Sequence, residues 1–419
     1  MKYLLSAFVF LLWQLSLLGQ PTNPSNDIAV GEIIELESSL LGETRQIFVH
    51  RPKGFWGMDE AMSHLPVVIV LDAETQFLHT VSTVDFLSSA PLGNDIIPRS
   101  IVVGIPNTNR NRDLTPIKGI IANDASTLAT TGGGGRFLDF ITDELIPFID
   151  STYSTSKHRT LIGHSLGGLI TFEALLRKRD FFNNYIAIDP ALGYADGVYM
   201  DDILDTLQQS ELSEEQLFFA VGLTKPTFLK EEEVMTDDSD FTVMNSIPNR
   251  KFLEEIENNQ WSLNVSAQYY PEENHFSIPH KSTYDGLRQL YDYYSFPEIM
   301  DYYHPRYKDR SDLIARIRDH YGRVTAQMGY EVIPMEGYLN SFAFGIAPSG
   351  REDLAIALFE YNIELHPDKP QVRNNLGYYY LSRGNKEGAL KVFKDSIKLN
   401  ADESILAIIE SLEKEAGGK

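Results

Sequence analysis

Between Asp27 and about Ser295 the chain alternates short apolar runs with longer stretches whose apolar residues return every three or four positions. The runs Glu32–Leu36, Thr44–His50, Pro66–Leu71, Ser100–Ile105, Arg159–Ile162, Tyr185–Ile188, Gln216–Val221 and Leu263–Tyr270 read as β-strands. Several are unbroken Val/Ile stretches, the pattern of strands covered on both faces of a mainly parallel sheet. Helical spacing fills the gaps, at Thr75–Ala90, Gly135–Asp150, Leu166–Arg179, Thr242–Asn258 and Ser282–Ser295. Strands alternating with helices predict an α/β domain of doubly wound type over residues 28–295. The Gly132–Gly135 run lacks the spacing and the Lys of a phosphate loop, so it reads as a loop feeding a helix.

The pattern then changes. Residues 296–335 form a polar, aromatic-rich connector with one predicted helix, Ser311–Gln327, capped by Ser311. Further on the chain repeats itself at a spacing of 34: Ala355 returns as Ala389, Phe359 as Phe393 and Leu365 as Leu399. Residues 336–415 therefore resemble the helical hairpins of the tetratricopeptide repeat. Two such units are fewer than the three or so that stand alone, so they are expected to pack on the connector helix or the α/β domain. At the other end, Lys2 precedes the apolar run Leu4–Leu18 and then Gly19-Gln20-Pro21. That order predicts a signal peptide over residues 1–20 and a secreted or periplasmic protein with no integral membrane domain after its removal.

Charge and composition narrow the chemistry. Asp plus Glu number 59 against 36 Lys plus Arg, a net charge of −23 that disfavours nucleic acid and acidic membrane surfaces as partners. The chain has no cysteine, which excludes disulfides, thiolate metal sites and a thiol nucleophile. Nothing in the sequence suggests a metal cluster, and no cofactor is called for.

Gly163-His164-Ser165-Leu166-Gly167 is a G-x-S-x-G pentapeptide. Composition alone would produce the pattern in roughly one chain of this length in seven. Its setting is more informative, because the strand Arg159–Ile162 precedes it and the apolar helix from Leu166 follows it. A serine hydroxyl needs a base, and the base needs an orienting carboxylate. In the strand–elbow–helix class the order is Ser, acid, His. Only His275 and His280 follow Ser165 within residues 28–295, and His275 lies in the polar loop after the last strand. His275 is thus the candidate base, with Ser165 the nucleophile. His164 is expected to point away from the site into the elbow. The acid stays open at this point between Asp237, Asp238 and Asp240 in the acidic loop after Gln216–Val221, and Asp189 at the end of Tyr185–Ile188.

Residues from about Ile28 to Ser295 resemble the Putative esterase family of α/β-hydrolases, which includes enterochelin-esterase-like, feruloyl-esterase-like and esterase D-like proteins. The resemblance rests on Val67–Asp72, Val102–Asn107, Arg110, Arg112–Pro116, Phe137–Ile149, Leu161–Gly168 and Glu273–Ser277, in that order. It implies Asp240, four residues before Met244, as the acid, while the position of Asp189 is more often Ser in the family. Backbone amides of Leu166 and Ala73 are the expected oxyanion donors. Arg110 and Arg112 are expected either to line the substrate cleft or to form structural pairs with Asp113. The resulting expectation is a serine hydrolase that cleaves a small-molecule or glycan-linked carboxylic ester through an acyl-enzyme. Acyl transfer with the same triad is one alternative. A non-catalytic interaction protein that binds a protein partner through its repeats is another.

Overall fold

The computed structural model describes residues 29–52, 64–89, 94–120, 125–209, 215–237, 245–259, 263–307 and 312–417. Eight strands form one sheet: β1 (Glu32–Ser38), β2 (Glu43–His50), β3 (Leu65–Leu71), β4 (Ile101–Ile105), β5 (Thr155–His164), β6 (Asn184–Ile188), β7 (Gln216–Gly222) and β8 (Asn264–Tyr270). Their order is β1-β2-β4-β3-β5-β6-β7-β8. Among the described strands the β1–β2 and β2–β4 pairs are antiparallel, and the strands from β4 to β8 in the sheet order run parallel. Each predicted strand is present, shifted by a few residues at its ends.

The longer helices are α1 (Ala73–Leu87), α2 (Gly134–Phe140), α3 (Ile146–Tyr153), α4 (Leu166–Arg177), α5 (Val198–Gln209), α6 (Ile247–Asn258) and α7 (Ile278–Leu290) in the sheet region. Beyond it lie α8 (Leu313–Met328), α9 (Glu336–Ile346), α10 (Glu352–Leu365), α11 (Pro370–Ser382), α12 (Lys386–Ser396) and α13 (Glu403–Gly417). The α5 helix was not anticipated, because its acidic residues dilute the apolar period. Helix α8 is capped by Asp312, whose side chain accepts from the Ala315 amide at 3.1 Å, rather than by Ser311, which lies outside the described residues.

The alternation along β3 shows how the sheet is covered. Val68 and Val70 join one buried cluster, while Val67, Ile69 and Leu71 join another on the opposite face. The second cluster is closed by Phe137, Leu169, Phe172 and Phe252 from α2, α4 and α6. The first continues without a break through α1 and α7 into the C-terminal helices, by way of Tyr294, Phe296, Tyr321 and Phe342. Ala355 and Phe359 on α10, and Ala389 and Phe393 on α12, are fully buried, so residues 34 apart occupy corresponding helix positions. No described helix is long and apolar enough to cross a membrane.

From the adjacent strands β3 and β5 the chain leaves in opposite directions, β3 leading to β4 on one side and β5 to β6 on the other. At such a switch point the loops beyond the carboxyl ends of adjacent strands diverge and leave a crevice. The pentapeptide opens there.

Candidate active site

Strand β5 ends at His164 and α4 begins at Leu166, leaving Ser165 alone to make the turn. Its backbone sits at φ 59°, ψ −119°, a strained conformation for a residue with a side chain. A Cβ on Gly163 would stand 2.1 Å from the Gly167 carbonyl, and one on Gly168 would meet Pro190 at 2.6 Å, so both glycines are sterically required. The turn is fixed to the end of β6. The Ser165 amide donates to the Ile188 carbonyl at 3.0 Å, and the Ala191 amide donates to the Ser165 carbonyl at 3.1 Å.

Two further strand ends carry residues at positive φ: Asp72 after β3 (53°) and Asp189 after β6 (39°). In Asp189 the turn aims the carboxylate inward, where it is 2% exposed. One oxygen, Oδ1, accepts from the Gly222 amide at 3.2 Å and from Asn249 Nδ2 at 3.0 Å. The other, Oδ2, lies 2.6 Å from Nδ1 of His275. That contact puts a proton on Nδ1 and leaves Nε2 bare to accept from Ser165 Oγ, 3.1 Å away.

His275 sits in the turn after β8. Asn274 Oδ1 accepts from the Phe276 amide at 2.9 Å and the Ser277 amide at 3.2 Å, which makes the turn rigid before α7 begins. The loop after β7 supports it, since the His275 amide donates to Thr224 Oγ1 at 2.7 Å and the Leu223 amide to the Glu273 carbonyl at 2.8 Å. The ring of Phe276 stands edge-on 5.4 Å from the imidazole, although the residue is 80% exposed.

The expected Ser165 and His275 thus face one another. Asp189, the alternative at the end of Tyr185–Ile188, is the carboxylate that meets Nδ1 of the imidazole. Asp240, the acid implied by the family resemblance, lies outside the described residues. One expectation is corrected: the side chain of His164 turns toward His275 and not away from it. Its ring centroid is 4.5 Å from that of His275, and its Nε2 lies 2.8 Å from the His275 carbonyl oxygen. Burial, with the neighbouring imidazole as a lesser cause, pushes its pKa down to about 4, so the ring is neutral near pH 7. Asn249 and Thr224 escaped sequence reading altogether, since an Asn on a helix and a Thr in a loop carry no local signal of a distant partner.

Leu166 and Ala73 are the first residues of α4 and α1, so their amides have no carbonyl one turn behind to accept from them. The two helix starts are neighbours, because a Cβ on Gly167 would lie 3.4 Å from Asp72 Oδ2 and 3.5 Å from Leu71 Cβ. Arg110 and Arg112 are both committed to carboxylates, the structural alternative of the two expected for them. Arg110 grips Asp72 through Nε at 2.7 Å and Nη2 at 3.0 Å. Arg112 binds Glu43 and Asp113, each at 2.6 Å, and Asp113 is itself held by Arg45 at 2.7 Å. Arg110 therefore secures the strand end that leads into Ala73, and Arg112 belongs to a network anchored on buried Asp113. Among the described residues no group of three or more His, Asp or Glu side chains could hold a metal ion.

The family described as "Putative esterase" matches residues 38–240, a span that includes Ser165 and Asp189 and stops before His275. Ferri-bacillibactin esterase BesA of Bacillus subtilis is 31% identical over 173 residues, covering 38% of this chain and 58% of that protein. The siderophore triacetylfusarinine C esterase of Aspergillus fumigatus is 27% identical over 164 residues, covering 36% and 52%. The chain thus spans little more than half the length of these curated relatives. An IroE-like serine hydrolase from Shewanella oneidensis superposes with a TM-score of 0.65 at 30% identity, over 80% of this chain and 99% of that one.

Proposed function

The chain belongs to the Putative esterase family, and from that premise we propose that it is a serine hydrolase of carboxylic esters working through an acyl-enzyme. The observation that carries the reading is the unbroken relay Ser165 Oγ, His275 Nε2, His275 Nδ1, Asp189 Oδ2, with steps of 3.1 Å and 2.6 Å on either side of the ring. Ser165 attacks the ester carbonyl while His275 takes its proton at Nε2. Asp189 holds the tautomer that makes this transfer feasible and steadies the imidazolium that forms. The amides of Leu166 and Ala73 receive the oxyanion, each backed by the positive end of its helix. His275 then returns the proton to the departing alcohol, and water repeats the sequence to release the acid.

The substrate is a small-molecule ester. Siderophore esters, for which two of the relatives are named, are the first class to assay. The leader-like run Leu4–Leu18 supports action outside the cytoplasm, and the repeat spacing of 34 supports a tetratricopeptide-like arrangement of the C-terminal helices. Purified protein should hydrolyse short aryl esters and be labelled at Ser165 by a fluorophosphonate. Ser165→Ala should lose nearly all turnover and all labelling, and comparable turnover by that variant would sink the reading.

A further inference from the structure

Serine and imidazole here come from elements 110 residues apart in sequence. Their alignment depends on what holds the loop after β8 over the end of β5. One tie is the Ser165–His275 hydrogen bond itself, which must break and re-form in every turnover. A second tie runs from the residue immediately before the nucleophile. His164 Nε2 lies 2.8 Å from the main-chain oxygen of His275, and a carbonyl oxygen can only accept, so His164 carries its proton on Nε2.

We propose that His164 is a positioning residue that sets the register of His275 against Ser165 by donating from Nε2 to the His275 carbonyl. The inference rests on the reading of Ser165 and His275 as nucleophile and base, and goes beyond it. Three features fit a ring selected for this task. First, the imidazole stands 4.5 Å from that of His275, so it fills the space beside the base as well as bonding its backbone. Second, the tie leaves the reacting Nε2 of His275 untouched, since it uses the main chain only. Third, it complements the bond from the His275 amide to Thr224 Oγ1 at 2.7 Å, so both main-chain polar groups of the base are held, one by the elbow and one by the loop after β7. A donor lost here would remove the bond by which the elbow holds the main chain of this buried residue and let the base drift. Displacements on the order of 1 Å are enough to cost about 100-fold in rate.

The test uses the full-length protein with an aryl acetate and an active-site titration by fluorophosphonate, so that kcat refers to correctly folded sites. His164→Phe keeps a flat ring and removes the donor, whereas His164→Gln places a side-chain N–H close to the position of Nε2. The expected result is a kcat at least about tenfold lower for His164→Phe with KM within about twofold, and recovery to within about threefold of wild type in His164→Gln. Wild-type kcat in His164→Phe would overturn the proposal, as would a His164→Gln variant no better than His164→Phe. Should His164→Phe fail to fold, the ¹⁵N-histidine spectrum of the wild-type protein decides. A neutral Nε2–H tautomer for His164 near pH 6 is required, and an Nδ1–H tautomer would refute the bond. Inactivity of the wild-type protein on every ester would instead strike the underlying reading, and the tautomer measurement would still judge this tie.

Discussion

Ser165 and His275 could be read from the sequence because each announces itself locally, one by glycines at fixed offsets and the other as a polar-loop histidine after the last strand. The acid could not. Any carboxylate at the end of β6 or in the loop after β7 satisfies the chain order, and the choice is made by tertiary geometry. The left-handed turn at Asp189 and the amides of Gly222 and Asn249 orient its carboxylate toward Nδ1. The family pattern pointed to Asp240 instead. The two assignments separate cleanly in a kinetic comparison. Asp189→Asn should lower kcat by about 10⁴-fold, because an amide in that place can present an N–H to Nδ1 and favour the wrong tautomer. Asp240→Asn should stay within about twofold of wild type. The reverse outcome, a crippled Asp240→Asn beside a healthy Asp189→Asn, would restore the family pattern.

At the level of elements, the parallel strands were the easiest part to read. A strand covered on both faces needs apolar residues at nearly every position, and β3, β4 and Tyr185–Ile188 of β6 are written that way. Helix α5 was missed for the converse reason: one covered stripe among many acidic residues resembles a loop. The elbow lies between these cases, since its residues were readable while its tightness was not. Two alanine substitutions measure that tightness. Gly163→Ala drives a methyl group to 2.1 Å from the Gly167 carbonyl, so strand and helix must part. A loss at or beyond the upper end of the roughly 1–3 kcal/mol typical of overpacking is expected, together with loss of activity. Gly135→Ala, in α2, meets nothing within 4 Å and should stabilise the protein by about 0.5–1 kcal/mol. Thermal melts of the pair check both signs, and a neutral Gly163→Ala would refute the steric account.

Over the whole molecule, the sheet domain and the C-terminal helices share a single buried cluster, from Val68 and Val70 in β3 to Leu376 and Tyr379 on α11. The repeat spacing foretold hairpins that need a surface to pack on, but which surface was decided by aromatic residues of the connector that have no periodic signature. Asp95, in the segment before β4, is buried at that junction and accepts from the Tyr321 hydroxyl of α8 at 3.0 Å. Desolvation pushes its pKa up to about 6, against the smaller opposing pulls of the Tyr321 hydrogen bond and of Arg99. A carboxyl whose pKa is higher in the folded than in the unfolded state makes the native protein bind the proton more tightly. Its contribution is therefore most favourable below about pH 4 and is lost as pH rises to about 6, beyond which it is constant. The shift corresponds to a difference on the order of 2–3 kcal/mol between the two ends of that window. Other carboxylates titrate in the same range, so the informative quantity is the stability of Asp95→Asn minus that of wild type, measured by denaturant unfolding from pH 4 to pH 7.5. Asn keeps an acceptor for Tyr321 and never ionises. The difference should rise steadily in favour of Asp95→Asn up to about pH 6 and then level off, whereas a difference that stays flat across the whole range would mean that Asp95 is not desolvated at this junction.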